Sequence, residues 1–328
     1  MKSFFRFFLL LVVAGAAGLV WWANSPIIAR TAAPVAFSIA PGSGVHGATQ
    51  DIARAGVPLQ PWLLELLARL TGRAPRLKAG SYELKPGTSP HRLLNQLARG
   101  EFAQESIAII EGWTFRQMRQ AIALNRGLKQ DTLDLTDAEL LARITPDFKY
   151  PEGLFFPDTY LFAKGASDLQ IYRQAFALLQ KRLEKGWKNR SPALPYKTPY
   201  EALIMASIVE KETGQAGERA MIAGVFVNRL RQGMMLQTDP TVIYGMGEHF
   251  QGNIRKTDLL TDTPYNTYRR TGLPPTPIAL AGVAALTAAL NPAPTDALYF
   301  VARGDGSSHF SSSLEQHNQA VNRYQRNR

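Results

Sequence analysis

An apolar run from Phe7 to Ala23 stands behind Lys2 and Arg6 and closes on Trp21-Trp22, setting a short leader apart from a long, more polar remainder. Roughly 17 to 25 apolar residues cross a bilayer core as a helix. The run therefore sits at the short end of that range and needs Phe4 and Phe5 to lengthen it. Positive residues ahead of it predict a cytoplasmic N-terminus, and the tryptophan pair suits the far interface. A cleaved signal peptide is the alternative, with an apolar stretch of about 7 to 15 residues ending at a small-x-small site. Here the run is longer and ends in Trp-Trp-Ala-Asn-Ser-Pro, which favours a retained single-pass anchor in the plasma (inner) membrane. Residues 31–328 are then expected outside the cytoplasm, since no later segment is apolar enough to return.

Composition is informative against that placement. With 328 residues, 45% of them hydrophobic and 19% charged, the chain can bury ordinary cores and is expected to form two or three domains. It has no cysteine, which suits an oxidising compartment managed without disulfides and excludes thiol catalysis and cysteine metal sites. The net charge of +11 is scattered, apart from the tail holding Arg323, Arg326 and Arg328. A nucleic-acid binder concentrates its charge on one face. Outside the cytoplasm the anionic partners are instead lipid headgroups and the carboxylates of a cell-wall polymer, and most single Lys and Arg residues are simply solvated.

Residues 35–125 repeat a pattern of alternating strand, glycine turn and amphipathic helix. It reads AFSIA-PGSG before a helix near 48–55, SYELK-PGTS before Pro90 to Ala98, and SIAII-EGWT before Phe115 to Leu124. Ser89 and Thr114 are expected caps, and Pro90 fits a first helical position that needs no N–H. A further helix over Pro61 to Leu70 carries Leu63, Leu66, Leu67 and Leu70 at the spacing of a buried face. Strand, helix, helix, strand over 35–85 makes a compact α/β unit. The segment Tyr150 to Tyr160 gathers aromatics with Pro and Gly; it reads equally as a sugar-stacking platform or as core beneath a loop. A long amphipathic helix over Asp168 to Lys185 follows. Further on come a helix near Gly282 to Leu290 and a hairpin of Ala297 to Ala302 with His309 to Ser311 around Gly304-Asp305-Gly306.

The stretch from Ala202 to Tyr244 holds the strongest signal for chemistry. An apolar helix there carries Glu210 and Glu212, and the polar loop Gln237-Thr238-Asp239-Pro240 follows a second helix. Side chains two apart on a helix point to nearly opposite sides, so the two carboxylates cannot flank one glycosidic bond. Glu212 shares its face with Met205, Ile208 and Val209, and Glu210 with Leu203, Ala206 and Ser207. An apolar surround raises a carboxyl pKa, as a general acid near neutral pH requires. The wheel favours Glu212 by a small margin. Either residue also reads as a surface glutamate paired with Lys211 or Arg219.

The segments EGWTFRQM (111–118), EGLFFPDTY (152–160), SIVEKET (207–213), ER (218–219), VFVNRL (225–230), LQTDPTVIYG (236–245), YNTY (265–268), GLPPTPI (272–278) and YFVARGDGSSHF (299–310) together resemble the endolytic murein transglycosylase family, MltG or YceG-like. The resemblance covers almost everything after the anchor and includes a LysM-like module matching residues 35–85 or slightly more. It implies an α+β chain: cytoplasmic stub and transmembrane helix over 1–30, LysM-like α/β module over 31–110, and a mixed α+β catalytic domain over 111–328.

The family's catalytic glutamate is the second of its E-K-E-T segment, which falls on Glu212. The implied reaction cuts the β-1,4 bond between N-acetylmuramic acid and N-acetylglucosamine in nascent, uncrosslinked strands, leaving 1,6-anhydro ends. It needs no metal and no cofactor. Candidate substrate contacts are Gln237, Thr238, Asp239, Asn266 and Tyr268, with Asn266 suited to acetamido groups. Each has an ordinary alternative, Asp239 as a turn residue before Pro240 and Tyr268 as core. His309 reads as structural. Expected partners are glycan strands, the membrane, and peptidoglycan synthases with division or elongation proteins; nucleic acid is not among them. A non-catalytic wall-binding scaffold and a hydrolytic muramidase using the same acid are the competing readings.

Overall fold

Helix α1 (Lys2–Asn24) takes up the whole leader. Its apolar stretch Phe4–Asn24 has a mean hydropathy of 2.1, and 23 residues at the α-helical rise give about 34 Å, enough to cross a hydrocarbon core. Most apolar side chains along it, Phe4, Phe5, Phe7 to Val13, Val20 and Trp21 among them, are exposed, and only at its end does Ala23 become buried. The structure, a computed structural model, describes residues 2–215 and 217–326. It divides into two units. The first takes residues up to Ser106 with two short returns, Gly127–Lys129 and Leu161–Ala166; the second takes Ile107–Arg126, Gln130–Tyr160 and everything from Ser167.

In the first unit, β1 (Val35–Ile39), α2 (Val45–Arg54), α3 (Pro61–Leu70), β2 (Gly80–Leu84) and α4 (Pro90–Arg99) follow in order. Strands β1 and β2 pair antiparallel, with Val35 opposite Leu84 and Phe37 opposite Tyr82. The inward Phe37 and Tyr82 rings stack at 5.5 Å, and the Tyr82 hydroxyl donates to the Lys78 carbonyl at 2.7 Å, so this ring is buried without leaving its polar end unsatisfied. Ser89 caps α4 by accepting from the Arg92 N–H, Pro90 takes the first position, and Gly100 ends the helix at φ +73°.

Helix α3 has the expected bounds but not the expected face. Leu64, Leu67 and Ala68 are buried, whereas Leu66 is 39% and Leu70 67% exposed. In a helix this rich in leucine two overlapping stripes satisfy the same period, and spacing cannot choose between them. Packing against α2 does, over the stripe that contains the small Ala68.

Strand β3 (Gln104–Ala108) is followed by α5 (Phe115–Ala123), α6 (Asp137–Ala142), and β4 (Thr159–Ala163), which pairs with β3. Thr114 and Gln117 form a reciprocal capping box at the start of α5. The loop before β4 is core rather than a platform: Leu154, Phe155 and Phe156 are buried, and Phe155 stacks on Phe115 at 5.2 Å. Gly153 turns there at φ +75°, and a Cβ would stand 2.3 Å from the Pro277 side chain, so both conformation and space call for glycine.

The second unit continues with a run of helices: α7 (Asp168–Lys188), α8 (Pro199–Glu212), α9 (Arg219–Arg231), α10 (Asp239–Met246), α11 (Lys256–Leu260) and α12 (Val283–Leu290). Thr198 caps α8, with Pro199 at its first position. Every residue of α8 from Ala202 to Val209 is buried, as a helix apolar all round requires. It is covered by α7, α9 and α12. Strands β5 (Tyr299–Ala302) and β6 (Ser308–Ser311) form the expected antiparallel hairpin, and α13 (Leu314–Val321) follows.

Candidate active site

Helix α8 is buried from Ala202 to Val209, so its C-terminal residues are held on a rigid element. Glu210 and Glu212 separate there as the helical period dictates. Glu210 turns into protein: one oxygen accepts from the Gly282 N–H at 2.9 Å, the other pairs with Arg219 at 3.4 Å, and the two side chains are 5% and 13% exposed. Burial pushes its pKa up, against the Gly282 bond and Arg219. Glu212 instead lines a cleft of about 1000 Å³. Its Oε2 accepts from the Thr238 hydroxyl at 2.7 Å, and Oε1 takes no bond among the described residues. Burial raises its pKa, while Thr238 and the charge of Arg229 oppose the rise.

The remaining sequence-derived candidates divide by what they touch. Gln237, Asp239 and Tyr268 line the cleft. Tyr268 donates its hydroxyl to Asp239 at 2.6 Å, and its own pKa is raised by burial and by that carboxylate. Gln237 sits at φ +51°, a left-handed conformation that costs a non-glycine residue of order 1 kcal/mol or more and that tends to occur at functional sites. Thr238 is buried. Its backbone N–H donates to the Thr267 hydroxyl at 3.1 Å, and the Thr241 hydroxyl donates to its carbonyl at 2.8 Å, so the residue that holds Glu212 is itself held. Asn266 is also buried. Its amide NH₂ is spent on the carbonyls of Asp258, Leu259 and Thr261, and its oxygen accepts from the Tyr268 N–H at 2.9 Å. That geometry fixes the loop carrying Tyr268 and leaves the Asn266 amide outside the cleft lining. His309 lies on β6 and does not line the cleft either.

Three charged residues escaped the sequence reading. Arg229, on α9, lines the cleft although it is a core-facing residue; a lone Arg in the apolar run from Ala223 to Leu230 was the available signal. Glu218 precedes α9 and accepts both the Ser308 N–H and the Ser308 hydroxyl at 2.7 Å, tying the β5–β6 hairpin to the helix start across one end of the cleft. Nothing local marks that pairing, which joins residues 90 apart. Glu152 is buried away from the cleft, where it accepts from the Phe115 N–H at 3.0 Å and the Tyr244 hydroxyl at 3.1 Å. Burial pushes its pKa up to about 7 despite those donors.

Chemically, the cleft offers one desolvated carboxyl with a free oxygen, a hydroxyl that steadies its ionised form, and polar and aromatic walls. That set can donate a proton to a bound oxygen and take one back. The YceG-like family model matches residues 37–323. The endolytic murein transglycosylase of Bacillus subtilis is 31% identical over 316 residues, covering 91% of this chain and 87% of that protein. Its counterpart in Streptococcus pneumoniae strain D39 is 29% identical over 357 residues; the match takes in 97% of this chain and 64% of the longer relative. A crystal structure of a YceG-like protein from Listeria monocytogenes superposes with a TM-score of 0.56 at 31% identity, over 88% of this chain and 99% of that one. The extent of the family match and the identity to the Bacillus protein carry the same conclusion: this chain belongs to the YceG-like family.

Proposed function

We propose that this protein is a membrane-anchored endolytic lytic transglycosylase of peptidoglycan, with Glu212 as both acid and base. The observation that carries the reading is the setting of Glu212: a cleft-lining carboxyl whose pKa burial raises, with one oxygen fixed by Thr238 and the other without a hydrogen bond among the described residues. The names of the Bacillus and Streptococcus relatives supply the reaction class. Glu212 gives its proton to the oxygen leaving muramyl C1, the C1–O bond breaks, and positive charge develops on the ring. The Glu212 carboxylate then removes the proton of the muramyl C6 hydroxyl as O6 attacks C1. This closes the 1,6-anhydro ring and returns the carboxyl to its starting state. The nucleophile belongs to the substrate, so no second enzyme carboxylate is required on the opposite face.

General acid–base catalysis supplies roughly 100- to 10,000-fold, and the remainder falls to positioning of the strand. In this reading Gln237, Asp239 and Tyr268 contact the glycan, while Thr238 and Asn266 act through Glu212 and the Tyr268 loop. Helix α1 anchors the chain in the inner membrane with its N-terminus in the cytoplasm. Residues 31–110 form a LysM-like module and 111–328 the catalytic domain. Cuts in nascent strands by an anchored enzyme would end elongation beside the synthases and the division or elongation proteins that make them.

The test is a digest of uncrosslinked strands by the full chain in detergent micelles, with chain ends read by mass spectrometry. Internal cuts bearing anhydro ends, absent with Glu212→Gln, are the expected result. Reducing ends would make the protein a hydrolase. No cleavage by folded protein, in micelles or in membranes with a synthase, would leave a binding scaffold.

A further inference from the structure

Among the described residues lining the cleft, Arg229 is the one Arg or Lys, and it is 7% exposed. A guanidinium carries five N–H donors in a planar fork. Two of its three nitrogens are engaged: Nε donates to the Leu298 carbonyl at 2.6 Å, and Nη1 donates to the Leu236 carbonyl at 2.8 Å, with longer contacts to the Met235 carbonyl and Gln237 Oε1. These bonds join the start of the β5–β6 hairpin to the loop that presents Gln237. The third nitrogen is not used. Nη2 donates to nothing among the described residues, yet it is not one of the side-chain atoms sealed from solvent without a partner.

A clamp on backbone carbonyls needs donors but no charge. The adjacent Asn228 does the equivalent task with a neutral amide, donating to the carbonyls of Thr295 at 2.8 Å and Ala297 at 3.1 Å. Arg229 meets no carboxylate in an ion pair among the described residues; its guanidinium lies over the Tyr299 ring at 5.1 Å. Burial presses its pKa down, and the group nevertheless stays protonated, as arginine does in proteins. Keeping an unpaired cation buried is costly, and a purely structural clamp has no reason to bear that cost. Arg229 and Glu212 line the same cleft, and the charge of Arg229 favours the ionised form of the acid.

We propose that Nη2 of Arg229 is a substrate subsite beside Glu212, its N–H groups taking a carbonyl or carboxylate oxygen carried by a sugar substituent of the bound strand. The inference rests on the glycan reading of the cleft. Two substituents offer such an oxygen: the acetamido group, present on both sugars, and the lactyl group, present only on the muramyl sugar. With Nε and Nη1 locked onto backbone carbonyls, the guanidinium presents Nη2 without losing side-chain entropy on binding.

The experiment uses the full chain in micelles carrying Glu212→Gln, so that strands bind without being cut, and measures affinity by calorimetry. Three ligands are compared: chitin oligomers with acetamido groups alone, denuded strands with free lactyl carboxylates, and strands bearing stem peptides. Adding Arg229→Lys, which keeps the charge and loses the fork, is expected to weaken binding by about 10- to 100-fold. Loss for all three ligands assigns the acetamido carbonyl, and loss confined to the two muramyl ligands assigns the lactyl oxygen. Unchanged affinity for every ligand, in a variant that melts at the parent temperature, overturns the subsite. If the lysine variant does not fold, a crystal structure of the Glu212→Gln protein with a bound strand fragment decides. Nη2 within about 3.2 Å of a ligand oxygen supports the subsite, and a ligand whose oxygens all lie beyond hydrogen-bond reach overturns it. A protein that binds no glycan at all, and whose wild type cuts none, removes the glycan reading and the subsite together; binding indifferent to Arg229 removes only the subsite.

Discussion

Replacing Thr238 by valine removes one hydroxyl from beside the acid and little else. Thr238 adopts an extended backbone at φ −119° and ψ 123° that a β-branched side chain accepts. Its ties to Thr267 and Thr241 run through its own N–H and carbonyl, which valine keeps. What disappears is the 2.7 Å bond from the hydroxyl to Glu212 Oε2. A hydrogen bond to a charged group contributes about 1.5 to 3 kcal/mol, and 1.36 kcal/mol corresponds to one pH unit. The bond favours the ionised carboxylate, so losing it makes Glu212 hold its proton more tightly. Thr238→Val therefore moves the alkaline limb of kcat/KM, measured as anhydro ends released by the full chain, upward by about one to two pH units. Thr238→Ser keeps the donor and leaves the limb where wild type has it. A folded valine variant whose alkaline limb is unmoved, or lies at lower pH, refutes this account of the acid.

The two glutamates of α8 are expected to fail differently. Glu210→Gln breaks a nearly buried ion pair with Arg219 and lowers stability by up to about 3 to 5 kcal/mol, while the fraction that folds retains the wild-type pH limb; Glu212→Gln abolishes anhydro-end formation without lowering Tm. Folded-state pKa values raised above the ordinary 4.5 make stability greatest below that pH, and it is lost as the pH rises through the folded value. For Glu152 this spans about pH 4.5 to 7 and amounts to as much as about 3 kcal/mol, so urea denaturation at pH 5 and pH 8 shows a loss that Glu152→Gln flattens. A Cβ on Gly224 would stand 2.7 Å from the Ala293 carbonyl oxygen and 2.8 Å from the Thr295 methyl. Gly224→Ala then costs about 1 to 3 kcal/mol by overpacking, outweighing the roughly 1 kcal/mol it gains in helix propensity, and Tm falls.

Wherever a signal was local, the sequence sufficed. The bounds of α3, the caps at Ser89 and Thr114, the first-position Pro90 and the β5–β6 hairpin were all legible, because caps, turns and periodicity act over a few residues. The opposite directions of Glu210 and Glu212 were legible for the same reason. Tertiary packing decided what periodicity leaves degenerate: which leucine stripe of α3 is buried, and whether Phe155 and Phe156 belong to core or to a sugar platform. It also decided every pairing of distant residues. Thr238 meets Glu212 across 26 positions, Glu218 meets Ser308 across 90, and Glu210 finds Gly282 across 72. Such contacts are fixed by how α8, α9 and α12 stack and where that stacking leaves the connecting loops. Local propensity carries no information about them, so the sequence could point to the acid while only the fold could supply the hydroxyl, the cation and the cleft around it.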